Sequence, residues 1–151
     1  IGWQAPIPGR GHASPVIWGQ SVFVVTADER RQSISLLNLD RDSGNLQWQT
    51  EVHRGSLPDR HAKNSHASAT PACDGRHVYV TTAVNGSVWV TAIDFSGRIV
   101  WQSAAGPFEC KWGYASSPTI YKSLVIVAAD HASAPLNAGQ GSSHLAALHR
   151  Q

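Results

Sequence analysis

The sequence predicts an all-β chain in which one unit of four short antiparallel strands is written about three times. Three observations carry this. Trp-Gln recurs at Trp3-Gln4, Trp48-Gln49 and Trp101-Gln102, with spacings of 45 and 53 residues. A small-residue segment ending in proline follows each one: His12-Ala13-Ser14-Pro15, His66-Ala67-Ser68-Ala69-Thr70-Pro71 and Tyr114-Ala115-Ser116-Ser117-Pro118. No stretch sustains an apolar period of 3.6 residues, so helices are not expected. Four strands per unit at a period of roughly 45–55 residues describe the blades of a β-propeller. A duplicated β-sandwich is the competing architecture, and recurrence of the same details at equivalent positions speaks against it.

Within each unit the order is the same. After the proline segment comes a first strand, then a turn: Trp18-Gly19-Gln20, Asp74-Gly75-Arg76 and Tyr121-Lys122-Ser123. Asp-Gly between two β runs is a hairpin signal, because glycine tolerates the positive φ such turns need. Second strands follow at Ser21–Thr26, His77–Thr82 and Leu124–Ala128, and third strands at Ser35–Asp40, Ser87–Asp94 and Ser143–Leu148. The first two units then turn through Asp42-Ser43-Gly44 or Phe95-Ser96-Gly97 into a fourth strand carrying the tryptophan, Asn45–Trp48 or Arg98–Trp101. The expected arrangement is a propeller segment of about three four-stranded blades, the first and last incomplete. It forms one repeat region, 1–151, with units near 12–50, 65–103 and 114–151; residues 1–4 are the end of a preceding blade's outer strand.

Composition agrees with this and narrows the functional classes. Of 151 residues, 42% are hydrophobic and 15% charged, which excludes a disordered tail, and 13 Gly and 8 Pro suit many tight turns. A net charge of +2, with Arg30-Arg31 the one adjacent basic pair, argues against nucleic acid. No apolar run approaches the ~20 residues of a membrane helix. The first residues lack the basic start and apolar stretch of a secretion signal.

The stretches Leu39-Asp40-Arg41-Asp42-Ser43-Gly44-Asn45-Leu46-Gln47-Trp48 and Ile93-Asp94-Phe95-Ser96-Gly97-Arg98-Ile99-Val100-Trp101 resemble the tryptophan-docking motif of pyrroloquinoline-quinone-like repeats, roughly Ala-Leu-Asp-x-x-Thr-Gly-x-x-x-Trp. The second copy is one residue shorter in its turn. The flavour of residues 6–15 and of Gly106-Pro107-Phe108 is similar to the quinoprotein-like repeat proteins of planctomycete-type bacteria. More distant likenesses are the bacterial outer-membrane assembly propeller and the catalytic propeller of quinone-dependent alcohol dehydrogenases. The resemblance gives Asp40, Gly44, Trp48, Asp94, Gly97 and Trp101 a structural role: each Trp lays its ring between blades, Gly supplies the turn and Asp holds turn amides. It also implies an extracytoplasmic, periplasmic-type location.

Loops joining a fourth strand to the next blade share a face with those joining second and third strands, and ligands of propellers bind there by analogy. Those loops carry His12, Lys63, His66, Lys111, Tyr114, Asp130 and His131 as candidate ligand-face residues. His12, His66 and Tyr114 are equivalent in the repeat, which favours packing over chemistry. His61 and His66 are five apart with no cysteine partner, so no zinc motif forms. Ser65-His66 and Ser143-His144 are neighbours without a Gly-x-Ser-x-Gly elbow, and Gly9-Arg10-Gly11 is too short to cradle phosphate. Quinone dehydrogenases hold their cofactor with calcium and often adjacent cysteines. Cys73 and Cys110 are far apart in sequence and expected on opposite faces, so no disulfide and no cofactor is expected.

The resulting expectation is a non-catalytic scaffold or binding module for a protein or carbohydrate partner. A segment of a quinone-dependent oxidoreductase using pyrroloquinoline quinone and calcium is the alternative. Since propellers close with four to eight blades, self-association completing the ring is a further expectation.

Overall fold

In a computed structural model, residues 1–130 and 143–150 are described; among them lie eleven strands and no helix. The first sheet runs β1 (Val16–Trp18), β2 (Ser21–Asp28), β3 (Ser33–Asp40) and β4 (Leu46–Arg54), each antiparallel to the next. The second repeats that order with β5 (Ala72–Cys73), β6 (His77–Val84), β7 (Ser87–Asp94) and β8 (Ile99–Pro107). The third has β9 (Thr119–Tyr121), β10 (Leu124–Ala129) and β11 (His144–His149). These are three blades of a propeller, stacked face to face. β4 packs on β6, β8 packs on β10 and β11, and the short strands β1, β5 and β9 lie side by side.

Alternation along the strands builds the two blade junctions. Phe23, Val25 and Ala27 of β2 and Ile34 and Leu36 of β3 face Val78, Val80 and Val84 of β6. The opposite side of blade two places Tyr79, Val90 and Ala92 against Val125 and Val127 of β10. Both faces of β6 are therefore buried, and the strand reads as a continuous apolar and threonine run rather than an alternating one.

The fourth strands are longer than the sequence suggested. The sequence places them at Asn45–Trp48 and Arg98–Trp101, yet β4 continues pairing to Arg54 and β8 to Pro107. Two bulges per strand explain the difference. Register shifts fall between Asn38/Leu39 and Ile34/Ser35 in blade one, and between Ala92/Ile93 and Val88/Trp89 in blade two. Each bulge adds a residue to the outer strand and breaks the two-residue period, so the pattern ends in the sequence before the strand ends in space. The bulge beside the tryptophan also aims Trp48 or Trp101 at the next blade.

Sheets one and two are four-stranded, and sheet three shows three strands among the described residues. The expected incompleteness at the start falls on residues 1–4, which form no strand pairs. Trp3 nevertheless behaves as the tryptophan of an outer strand, as its contacts below show.

Candidate binding face

The docking motif forms the same joint three times. Trp48 Nε1 donates to the carbonyl of Phe95 at 2.9 Å, Trp3 Nε1 to Arg41 at 2.8 Å, and Trp101 Nε1 to Arg150 at 3.2 Å. Each acceptor follows the last residue of a third strand, one blade further on. Gly97 has φ of 87°, and a Cβ there would meet Trp48 at 2.9 Å, so the turn needs glycine for both its backbone and its ring contact. A side chain at Gly44 would collide with Trp3 in the same way. Asp40 accepts from the Asp42 and Ser43 amides and the Ser43 hydroxyl; the Ser43 bonds hold its carboxyl below the ordinary range. Asp94, bonded to the Ser96 hydroxyl and the Arg98 amide, is drawn down to about 2.

The glutamine after Trp101 points the other way, as alternate residues in a strand do. Gln102 Nε2 donates back to the Val52 carbonyl of the preceding blade at 2.9 Å, and to Thr91 Oγ1 at 2.6 Å. One dipeptide thus grips both neighbours.

A second repeated contact was not foreseen. The residue before each proline carries a hydroxyl, and Ser14 N donates to Thr70 Oγ1 at 3.1 Å while Thr70 N donates to Ser117 Oγ at 2.9 Å. These bonds link the lead-ins to the innermost strands, blade to blade. The signal was present as Ser-Pro, Thr-Pro and Ser-Pro, but a hydroxyl residue before proline also reads as ordinary turn chemistry.

The inter-blade loops and the β2–β3 and β6–β7 loops do share one face. Gly55 N donates to Gln32 O, Ser56 N to Asn85 Oδ1, and Phe108 N to Gly86 O. Asn85-Gly86 forms a two-residue hairpin turn with both φ values positive, at 52° and 71°. On this face Arg60 Nη2 pairs with Glu29 Oε1 at 2.6 Å, and His66 Nε2 stands 4.0 Å from the same oxygen. Burial pushes the His66 imidazole below its usual pKa; Arg60 adds to that and Glu29 opposes it. Asn64 Nδ2 donates to Trp112 O at 2.8 Å and its Oδ1 accepts from Ser65 N and Ser68 Oγ, tying the two inter-blade loops together.

The candidate residues separate into two groups. Lys63 and Lys111 are exposed, and Lys111 Nζ lies 5.0 Å from the Trp112 ring centre, with His61 at 5.5 Å from the same ring. Asp130 is exposed beyond β10. Tyr114, by contrast, is buried, donates to Ala128 O at 3.0 Å and meets Phe108 edge-on; burial raises its hydroxyl to about 12. His12 is exposed, and its backbone N–H donates to Ala67 O, so its place in the fold is held by main chain. His131 lies outside the described residues. Sequence reasoning put Glu29 among the loop residues of this face but did not single out Arg60, Asn64 or Trp112, whose grouping with it depends on loops far apart in the chain.

Among the described residues no three His, Cys, Asp or Glu side chains come together as metal ligands. Both cysteines are free; Cys73 ends β5 in the turn toward Asp74, Cys110 follows β8, and burial raises the Cys73 thiol pKa.

Blades joined by a thrice-repeated Trp-to-turn contact, around a face of long connecting loops, define a quinoprotein-like β-propeller repeat protein. The family described as outer membrane protein assembly factor BamB matches residues 1–104 and again 35–145, and the chain belongs to that family. The crystal structure of BamB from Moraxella catarrhalis is similar at 22% identity and a TM-score of 0.58, over 83% of this chain. The chain spans 36% of the length of that propeller. Among curated proteins none matches the chain.

Proposed function

We propose that this chain is a non-catalytic scaffold, one continuous repeat region, whose loop face takes a protein partner outside the cytoplasm. The carrying observation is Trp112. It is 53% exposed, yet His61 and Lys111 hold its ring in place. Exposed aromatics that are already ordered are typical anchors of protein interfaces. A sugar would need an open ring face to stack on, and both neighbours compete for it, which favours protein over carbohydrate. Belonging to a family described as an assembly factor supports the same reading and an extracytoplasmic setting. Self-association through β11, where Leu145 is 75% exposed, is part of the same proposal.

Photo-crosslinking from single positions tests this. In the producing cell, a crosslinker at Trp112 is expected to yield one discrete heavier protein adduct, and one at Lys122, on the opposite face, none. With purified chain, a crosslinker at Leu145 is expected to trap a dimer. Equal adducts from 112 and 122, or none from 112, overturn the partner-face reading; a monomer from 145 at high concentration overturns self-association.

A further inference from the structure

Equivalent positions at the two blade junctions carry different chemistry on the face opposite the loops. Between blades one and two the junction is aromatic. Phe23 stacks on Phe95 at 5.3 Å and tilts against Trp48 at 6.0 Å. Trp18 covers Gly75, where an added Cβ would stand 2.5 Å from its ring. One junction further, strand register puts Tyr79 in the place of Phe23, Trp101 in that of Trp48, Arg150 in that of Phe95 and Asp74 in that of Trp18. A tryptophan has become an aspartate and a phenylalanine an arginine.

The substituted groups form a network. Asp74 accepts from the Arg76 and His77 amides and from Tyr79 Oη, each at 2.9 Å, and from Arg150 Nη1 at 2.6 Å. Burial would raise the Asp74 carboxyl, but these donors together hold it below its ordinary range. Four donors fill the acceptor capacity of a carboxylate, so Asp74 has little left to offer a ligand, and Arg150 balances its charge. Positive charge remains in excess. Among the described residues the Arg76 side chain makes no ion pair, and Arg150 Nε is buried with no hydrogen-bond partner. A buried N–H of that kind calls for an acceptor. This junction holds a cavity of about 630 Å³ lined by Asp74, Arg76, His77, Tyr79, Val100, Ser123 and Arg150. That volume lies within the roughly 300–1,000 Å³ of small-molecule sites.

We propose that the cavity between blades two and three binds a small oxyanion-bearing ligand, a carboxylate or a phosphate, through Arg76 and Arg150 with Ser123 as a neutral donor. Guanidinium groups suit both oxyanions because their fork matches paired oxygens. The joint one blade earlier carries Trp18 and Phe95 at the places of Asp74 and Arg150, while Arg41 holds the corresponding turn position in blade one. The site is independent of the loop face and of any partner bound there.

Titration calorimetry on the full chain with citrate and, separately, inorganic phosphate tests the site and separates the two chemistries. Saturable one-to-one binding by one of them is expected. Arg150→Lys, which keeps the charge beside Asp74 but loses the fork, and Arg76→Gln, which breaks no ion pair, are each expected to weaken it about tenfold or more. Lys63→Gln on the loop face is expected to leave it unchanged. Absence of saturable binding by both anions overturns the proposal. So does binding that both arginine variants retain in full, or that Lys63→Gln weakens equally. Arg76→Gln keeps the test decisive should Arg150→Lys fail to fold.

Discussion

Trp48 and Trp101 reach across a junction with both parts of the indole, the ring against a neighbouring blade and the N–H to a turn carbonyl. Replacing either with alanine empties an aromatic site and orphans that carbonyl, at a cost of about 3 kcal/mol or more. Trp112→Ala removes an exposed ring and is expected to cost well under about 1 kcal/mol. Urea melts of the three variants check the contrast, and equal losses would contradict the docking assignment. The tryptophans were legible because they recur beside glycine and aspartate at fixed offsets. Arg60 and Trp112 were not, because their grouping with Glu29 depends on loop conformations that no periodicity encodes. Tyr114 misled for a related reason: an ionisable side chain in a loop reads as surface, whereas Phe108 and the Ala128 carbonyl make it core.

At the scale of the strand, β2, β3, β6 and β7 could be read nearly to their ends, since alternation and turn residues bound them. β4 and β8 could not, because their bulges interrupt the period that identifies a strand. The hydroxyl ladder belongs to this scale too. Thr70 both accepts from Ser14 N and donates its own N–H to Ser117 Oγ, so it joins three blades at one point. Thr70→Val keeps the shape and removes the acceptor, leaving the Ser14 amide unpaired. The expected loss is about 0.5–1.5 kcal/mol, since the bond lies at the surface, with faster hydrogen exchange at the Ser14 amide. Thr70→Ser is expected to restore both. Exchange at Ser14 that is unchanged in the valine variant would remove the ladder from the account.

Across the whole molecule, the repeated residues are taken up by contacts between blades: Trp forward, and Ser or Thr along the innermost strands. The non-repeated residues then divide between a loop face that presents Lys63, Lys111 and Trp112 and a junction cavity that presents two arginines. Neither set gathers a metal-ligand group among the described residues. The proposal that this propeller segment serves as a binding scaffold is open to a direct experiment. Its most direct test is to supply the purified chain with pyrroloquinoline quinone and calcium and to follow dye reduction with primary alcohols as substrate. The account predicts no calcium-dependent dye reduction above that of the free quinone. Stoichiometric quinone uptake accompanied by calcium-dependent alcohol oxidation would contradict it.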